Sequence, residues 1–316
     1  MRVSELQRHQ AFIRGMDDRA SNLLRIQQEM ATGRSLFTPS EGVQRADQAL
    51  RSKEALAADA QYMRNIEDGQ TWVNAADGNL QSIVDLLNEV DTLALSADNS
   101  SQNADDRSNT ALQIDQKLED LMHLVNATNG DRYLFGGHNT TTNPYTAVRD
   151  ANGRIQDATA NEETIAGRIY RRIGQDEDLQ VNVTGDRLFQ PVGSAGSDAD
   201  LFHVIAALRD TIANNNTPPE GSEDTLSNAH LREQLEAIRE RITEQQTYLG
   251  AVGQRLEQTL SRLKDREVQL TDSLEKAQGV DLTDLVSRAA LEDTTYSALA
   301  GMGSKLIKQS LVDYLS

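Results

Sequence analysis

The sequence contains no cysteine, which removes disulfides, cysteine nucleophiles and thiolate metal sites together. Aromatic residues are scarce too: they make up 4% of 316 residues, with Trp72 the only tryptophan. Aromatic side chains supply much of the apolar area of thick cores. Their scarcity therefore predicts thin cores, as in seams between helices, and a mean hydropathy of −0.57 agrees. No run approaches ~18 consecutive apolar residues, so no membrane span is expected. The opening residues, Met1 to Gln10, lack the apolar stretch and small-residue cleavage site of a signal peptide. Export, if it occurs, is expected to use a route without a cleaved signal. Positive charge is also short: 31 Lys and Arg stand against 49 Asp and Glu, a net charge of −18. That balance argues against nucleic acid or an anionic membrane as a partner.

Catalytic and cofactor patterns are missing as well. His9, His123, His138, His203 and His230 are scattered without metal-like spacing. No phosphate loop, dinucleotide fingerprint or Gly-x-Ser-x-Gly elbow occurs. Carboxylate groups such as Asp105-Asp106 and Asp176-Glu177-Asp178 read as solvated faces in so acidic a chain, and Arg171-Arg172 is too small to make a basic patch. The expectation is no enzyme, no cofactor, no metal and no catalytic residue.

What the sequence does contain is helical periodicity at both ends. Positions 6, 9, 13, 16, 20, 23, 27 and 30 step by three and four, and six of the eight are apolar. Gly33 is expected to stop that helix, with Phe37 to Ser40 as a connector. A second stripe is apolar throughout: Val73, Ala76, Leu80, Ile83, Leu87, Val90, Ala94 and Ala97. After a polar break at Asp98 to Asn103, the period resumes at Ala111, Ile114, Leu118, Leu121 and Val125, and Asn129-Gly130 is expected to end it. Toward the C-terminus, thirteen heptad positions from Leu231 to Ser273 include nine apolar residues. A helix over about 226–276 would run roughly 75 Å at ~1.5 Å per residue, which reads as a rod. A last helix is expected from Asp281, a plausible N-cap, to the end of the chain.

Residues 132–197 differ. Asn152-Gly153 between Tyr145–Val148 and Arg154–Gln156 signals a hairpin. Arg168 to Ile173 reads as a strand, and Leu179, Val181 and Val183 alternate with Gln180 and Asn182 as a half-buried strand would. The predicted fold is mainly α, a long antiparallel helical rod built from both chain ends with a small β-rich insert at its tip. The expected division is 1–35, an N-terminal assembly helix; 36–131, rod helices; 132–197, the β-rich insert; 198–279, rod helices; and 280–316, a C-terminal assembly helix. The terminal stripes are too thin to stand alone, so they are expected to be completed by neighbouring subunits. The expected assembly interface is Leu6, Ile13, Met16, Ala20, Leu23 and Met30 with Leu285, Ala289, Tyr296, Leu299, Leu306 and Leu311.

Several segments carry a resemblance. Ile26 to Ser40 (IQQEMATGRSLFTPS) resembles the N-terminal signature of the flagellin family, in which the first helix ends at a Gly followed by a basic residue. Tyr133-Leu134-Phe135-Gly136-Gly137 with Asn143-Pro144-Tyr145 is similar to a segment of that family's hook-associated branch. Leu249 to Leu256 (LGAVGQRL) resembles the family's C-terminal Leu-Gly-Ala segment, and the Asp313-Tyr314-Leu315 ending again suggests the hook-associated branch. The family's Asp-Asp-Pro-type segment is replaced here by Ser40-Glu41-Gly42-Val43. These matches cover both ends and the centre in order. The resemblance implies an extracellular structural piece of the bacterial flagellum at the hook–filament junction. It also implies type III export helped by a dedicated chaperone, and a ring of copies between the hook-side junction protein (the first hook-associated protein) and flagellin. Terminal helices that order on assembly belong to the same implication. A filament flagellin is the nearest alternative, and a helical coiled-coil signalling or binding module is the alternative from another class.

Overall fold

The apolar stripe from Val73 to Ala97 becomes the buried edge of one long helix, and every one of its eight positions is at most 3% exposed. A computed structural model describes residues 2–35, 43–98, 103–161, 165–214 and 227–315. Among these, seven helices occur: α1 (Arg2–Thr32), α2 (Val43–Ala97), α3 (Ala104–Val125), α4 (Gly185–Leu188), α5 (Leu201–Ala213), α6 (Asn228–Gln278) and α7 (Leu282–Leu315). Six short strands lie in the middle of the chain: β1 (Thr128–Asn129), β2 (Arg132–Tyr133), β3 (Tyr145–Arg149), β4 (Ile155–Ala160), β5 (Tyr170–Gly174) and β6 (Glu177–Gln180). They pair consecutively into three separate two-stranded antiparallel sheets. The connector predicted at Phe37 to Ser40 lies outside the described residues.

The chain forms two compact units: a terminal unit, Met1–Ala58 with Asp265–Ser316, and a central unit, Asp59–Lys264. In the central unit α2 and α6 run antiparallel. Asp91 Oδ1 accepts from Arg232 Nε at 2.8 Å, and Asn88 Oδ1 from Arg239 Nη1 at 2.8 Å, the partner's number falling as the other rises. The heptad of α6 is buried at Leu231, Leu235, Ile238, Ile242, Leu249, Val252, Leu256 and Leu263, then fades beyond it. α3 adds Ile114, Leu118, Leu121 and Val125 to the same core.

α3 begins where the polar break ends, at a reciprocal cap. Asn103 Oδ1 accepts from the Asp106 backbone N at 2.8 Å, and Asp106 Oδ2 accepts from the Asn103 N at 3.3 Å. Both bonds satisfy first-turn donors that have no partner within the helix. Asn103→Ala is expected to lower the stability of the central unit by about 1 kcal/mol. A urea titration followed by circular dichroism reads this directly, and an unchanged midpoint would show the cap to be idle.

α3 stops at Val125, four residues before the predicted Asn129-Gly130. The cause is Asn126, whose amide keeps one bond to the helix, from Nδ2 to Met122 O at 3.1 Å, and otherwise reaches across to β3. Its Nδ2 donates to Tyr145 O at 3.0 Å, and its Oδ1 accepts from Tyr145 N at 3.1 Å. Asn129-Gly130 instead turns the β1–β2 hairpin, with Gly130 at φ +61°. The Asn152-Gly153 hairpin forms between β3 and β4, and Asp150 Oδ1 accepts from the backbone N of both Asn152 and Arg154.

The predicted strand through Val183 ends at Gln180, and its alternation breaks there. Asn182, expected on the solvent side, is fully buried. Its Oδ1 accepts from Ile169 N at 2.7 Å and its Nδ2 donates to Gly167 O at 2.9 Å, substituting for ladder bonds. Gly136 and Gly137 are both required where they stand. A Cβ on Gly136 would sit 2.7 Å from Asn139 O, and Gly137 has φ +59°. Gly136→Ala is expected to cost about 1–3 kcal/mol, since the obstacle is backbone, and the same titration checks it.

The thin-core expectation fails locally. Phe135, Tyr145, Phe189 and Phe202 gather, all buried, with contacting ring centroids 5.2 to 5.9 Å apart, and thicken the central unit's core beside the strands. Trp72 is buried elsewhere in this unit, with the Arg132 guanidinium 5.2 Å from its ring centroid. Among the described residues no helix is long and apolar enough to cross a membrane, and no group of three or more His, Asp or Glu is placed to hold a metal.

Candidate assembly interface

α1 and α7, the helices expected to mediate assembly, pack against each other inside the terminal unit. Their ends are fixed by local chemistry. Gly33 takes φ +63°, which an L side chain resists, and ends α1. Ser35 N then donates to Gln278 O at 2.8 Å, tying the end of α1 to the end of α6. α7 starts at the predicted cap. Asp281 Oδ1 accepts from Thr283 N at 2.8 Å and Asp284 N at 3.3 Å. Those two backbone donors hold the Asp281 carboxyl below the usual carboxylate range.

The two helices run antiparallel. Arg19 Nη1 meets Glu292 Oε1 at 2.7 Å, while Phe12 faces Gly303 nearer the far end of α7. A Cβ on Gly303 would lie 2.7 Å from the Phe12 ring, so this glycine makes room for an aromatic side chain. Leu285 is fully buried and Ile26 is 6% exposed. Met16, Ala20, Leu23, Ala289, Tyr296 and Leu299 are half-buried along the seam. Ile13 and Met30 remain exposed, at 47% and 40%. The side chains of Leu6, Leu306 and Leu311 lie outside the described residues.

On α1 the covered face therefore runs through Phe12, Met16, Arg19, Leu23 and Ile26. That series steps by four and three, like the expected one, and shares Met16 and Leu23 with it. It is rotated by about half a residue step around the helix. Arg19 hid it in the sequence, because a charged residue at a seam position reads as a break in the stripe. Its aliphatic stem and its bond to Glu292 explain how it is accommodated.

The seam leaves much apolar surface uncovered. Of the sixteen large hydrophobic side chains exposed among the described residues, ten belong to the terminal unit, which is about a third of the chain. They include Ile13 and Leu24 on α1, and Leu282, Val286, Leu291 and Met302 on α7. Exposed apolar side chains concentrated in this way suit a surface made to be covered.

Two family models match the chain: the bacterial flagellin N-terminal helical region over residues 3–140, and the bacterial flagellin C-terminal helical region over 233–315. The flagellar hook-associated protein 3 of Escherichia coli (strain K12) is 25% identical over 310 residues, spanning 94% of each chain. Among solved structures, FlgL of Bacillus cereus superposes with a TM-score of 0.55 at 20% identity, covering 71% of this chain and 99% of that one. A hook-associated protein 3 from Legionella pneumophila gives 0.57 at 15% identity, covering 71% and 97%. At these identities the two structures establish a shared fold. The stretch between the two matched regions, residues 141–232, carries β3 to β6, α4 and α5.

Proposed function

The chain belongs to the flagellin family, whose members are structural proteins of the flagellum and not enzymes, and we propose that it joins the hook to the filament. In this reading copies of the chain form a ring through the terminal helices, with the first hook-associated protein on the hook side and flagellin on the filament side. The chain reaches that place through the flagellar export channel, escorted by a chaperone and without a cleaved signal. Residues 1–35 and 280–316 act as the assembly helices, and Ile13, Met30, Leu24, Val286, Leu291 and Met302 offer the surface that neighbours cover.

The observation that carries the reading is the concentration of uncovered apolar side chains on the terminal unit. A pair of helices with so thin an internal seam gains little stability by itself, and covering roughly 1,000 Å² or more against neighbours supplies what is missing. Two further points favour the junction over the filament: near-complete alignment with a protein named hook-associated protein 3, and the Leu134-Phe135-Gly136-Gly137 and Asp313-Tyr314-Leu315 segments.

The test is a strain lacking this chain, examined by electron microscopy with flagellin assayed in the medium. The expected result is hooks without filaments and flagellin shed as monomer. Filaments still attached to hooks at normal length would end the junction reading. Absent filaments with flagellin retained in the cell would instead indicate a role in export.

A further inference from the structure

Four glycines stand inside the two long helices that run through the central unit: Gly69 and Gly78 in α2, Gly250 and Gly253 in α6. Two of them have close neighbours. A Cβ on Gly69 would crowd Val181 Cγ1 at 3.3 Å, and one on Gly253 would touch Val73 Cγ1 at 3.6 Å. Gly78 and Gly250 are different. Both are exposed, and a Cβ on either would meet nothing within 4 Å. Glycine is the weakest helix former after proline, so alanine would serve the helix better at both positions. Packing within the chain does not account for them.

Their positions coincide. Val73 faces Gly253, Gln81 Oε1 accepts from Gln246 Nε2 at 3.5 Å, and Asn88 meets Arg239 further along. Between the first two of these crossings, the level of Gly78 on α6 is that of residues 248–250. Both helices are therefore weakened at one cross-section.

Other features fall at the same level. Ser82 Oγ donates to Gly78 O at 3.1 Å, a bond that competes with the helix ladder, and Gly–Ser pairs are among the places where helices kink. α2 has similar bonds at Thr71 and Thr92, but there the accepting carbonyls belong to Glu67 and Asn88 and not to a glycine. In α6, Thr243 and Thr247 donate in the same way to Arg239 O and Thr243 O. Between these threonines Gln245, half-buried, takes a seam position that Ile242 and Leu249 fill with buried apolar side chains on either side. α3 stops here as well. Lys117 pairs with Glu89, which puts the last residue of α3, Val125, beside residues 81–82 of α2.

We propose that α2 and α6 bend together at the level of Gly78 and Gly250, forming a joint inside the central unit. On one side lie α3, α5 and the β3–β4 hairpin, tied to one another by Arg209 and Arg149. On the other lies the β5–β6 hairpin, tied to the helices through Asp68 and Arg255. Helix stability is given up at the joint so that the two parts tilt without either unfolding.

The joint belongs to the chain itself, so its test uses the purified full-length protein and its failure leaves the junction reading untouched. Hydrogen exchange is followed by mass spectrometry on the unsubstituted chain and on a chain carrying Gly78→Ala and Gly250→Ala. In the unsubstituted chain, amides of 78–83 and 247–252 should exchange faster than those two turns away on either helix, relative to intrinsic rates. The alanine chain should slow them about fivefold and raise the urea midpoint. Because the chain has no cysteine, Glu67→Cys with Asp85→Cys carries the only two spin labels, on one exposed line of α2 either side of Gly78. Their backbone separation is roughly 27 Å in a straight helix at ~1.5 Å per residue. The measured distances should be broadly spread and should narrow in the alanine chain. Even exchange along both helices, with a label distance that alanine leaves unchanged, would overturn the joint. If exchange and distance are unchanged while the alanine chain strips filaments from hooks, the glycines make room for a neighbouring molecule, and the joint is again wrong.

Discussion

Leu285→Asp is expected to strip filaments from their hooks while leaving the central unit folded. Leu285 has no exposed surface and is the best-buried apolar side chain of α7 among the described residues. Removing a leucine from such a position costs about 2–5 kcal/mol, and placing a carboxylate there adds a desolvation penalty. A two-helix seam has no reserve of that size. α1 and α7 should then part, and the apolar surface they jointly present is lost with them. Electron microscopy counts attached filaments, and limited proteolysis of the purified chain checks that a fragment of about residues 59–264 survives. Leu285→Met, which keeps the volume, should assemble normally. Normal filaments on the Asp variant would mean that this seam plays no part in assembly.

Arg209→Met should produce the largest loss of stability in the central unit. Arg209 is 1% exposed on α5, yet it is held by three oxygens. Its Nη1 donates to Asp115 Oδ1 at 2.5 Å and to Ile155 O at 2.7 Å, and its Nε to Asp210 Oδ1 at 2.9 Å. One side chain thus ties α3, β4 and α5. Burial works to lower its pKa, but the bonds and charges of Asp210 and Asp115 outweigh this and raise it, so it stays charged. Methionine fills the space and leaves Asp115, one-fifth exposed, and Ile155 O without their donor. Breaking a buried pair in this way costs about 3–5 kcal/mol, with the lower end apt because Asp115 retains some water. The urea midpoint should fall by about 1 M or more. Arg209→Met with Asp115→Leu should recover part of the loss, because no stranded charge remains. A midpoint within error of the unsubstituted chain would show the network to contribute nothing.

What could be read beforehand, and what could not, divides along physical lines. The stripes of α2, α3 and α6 were legible because a helix buried along one edge must repeat its apolar residues at three and four. Gly33 and Asp281 were legible because left-handed backbone and a free first turn each favour few residue types. Arg209, Asn182 and Arg19 were not. Each is polar, and pattern reading assigns polar residues to solvent unless their partners are known. Those partners lie far away in sequence: Asp115, Gly167 and Glu292 respectively. The aromatic cluster was missed for a related reason. A low total of aromatics says nothing of their placement, and Phe135, Tyr145, Phe189 and Phe202 converge from separate segments. At the candidate interface, Ile13, Leu24 and Met302 could be seen as apolar, but not that α1 and α7 would use one face on each other and leave these out.

The solitary Trp72 has a practical use. It is the only indole in the chain, it is buried, and it belongs wholly to the central unit. Its emission therefore reports the melting of that unit and is blind to α1 and α7. Far-ultraviolet ellipticity, dominated by helices of both units, sees everything. The difference between the two signals on one sample isolates the ordering of the terminal helices, with no label attached. The same optical comparison, made as chain concentration rises, would follow those helices from the free chain into whatever they join.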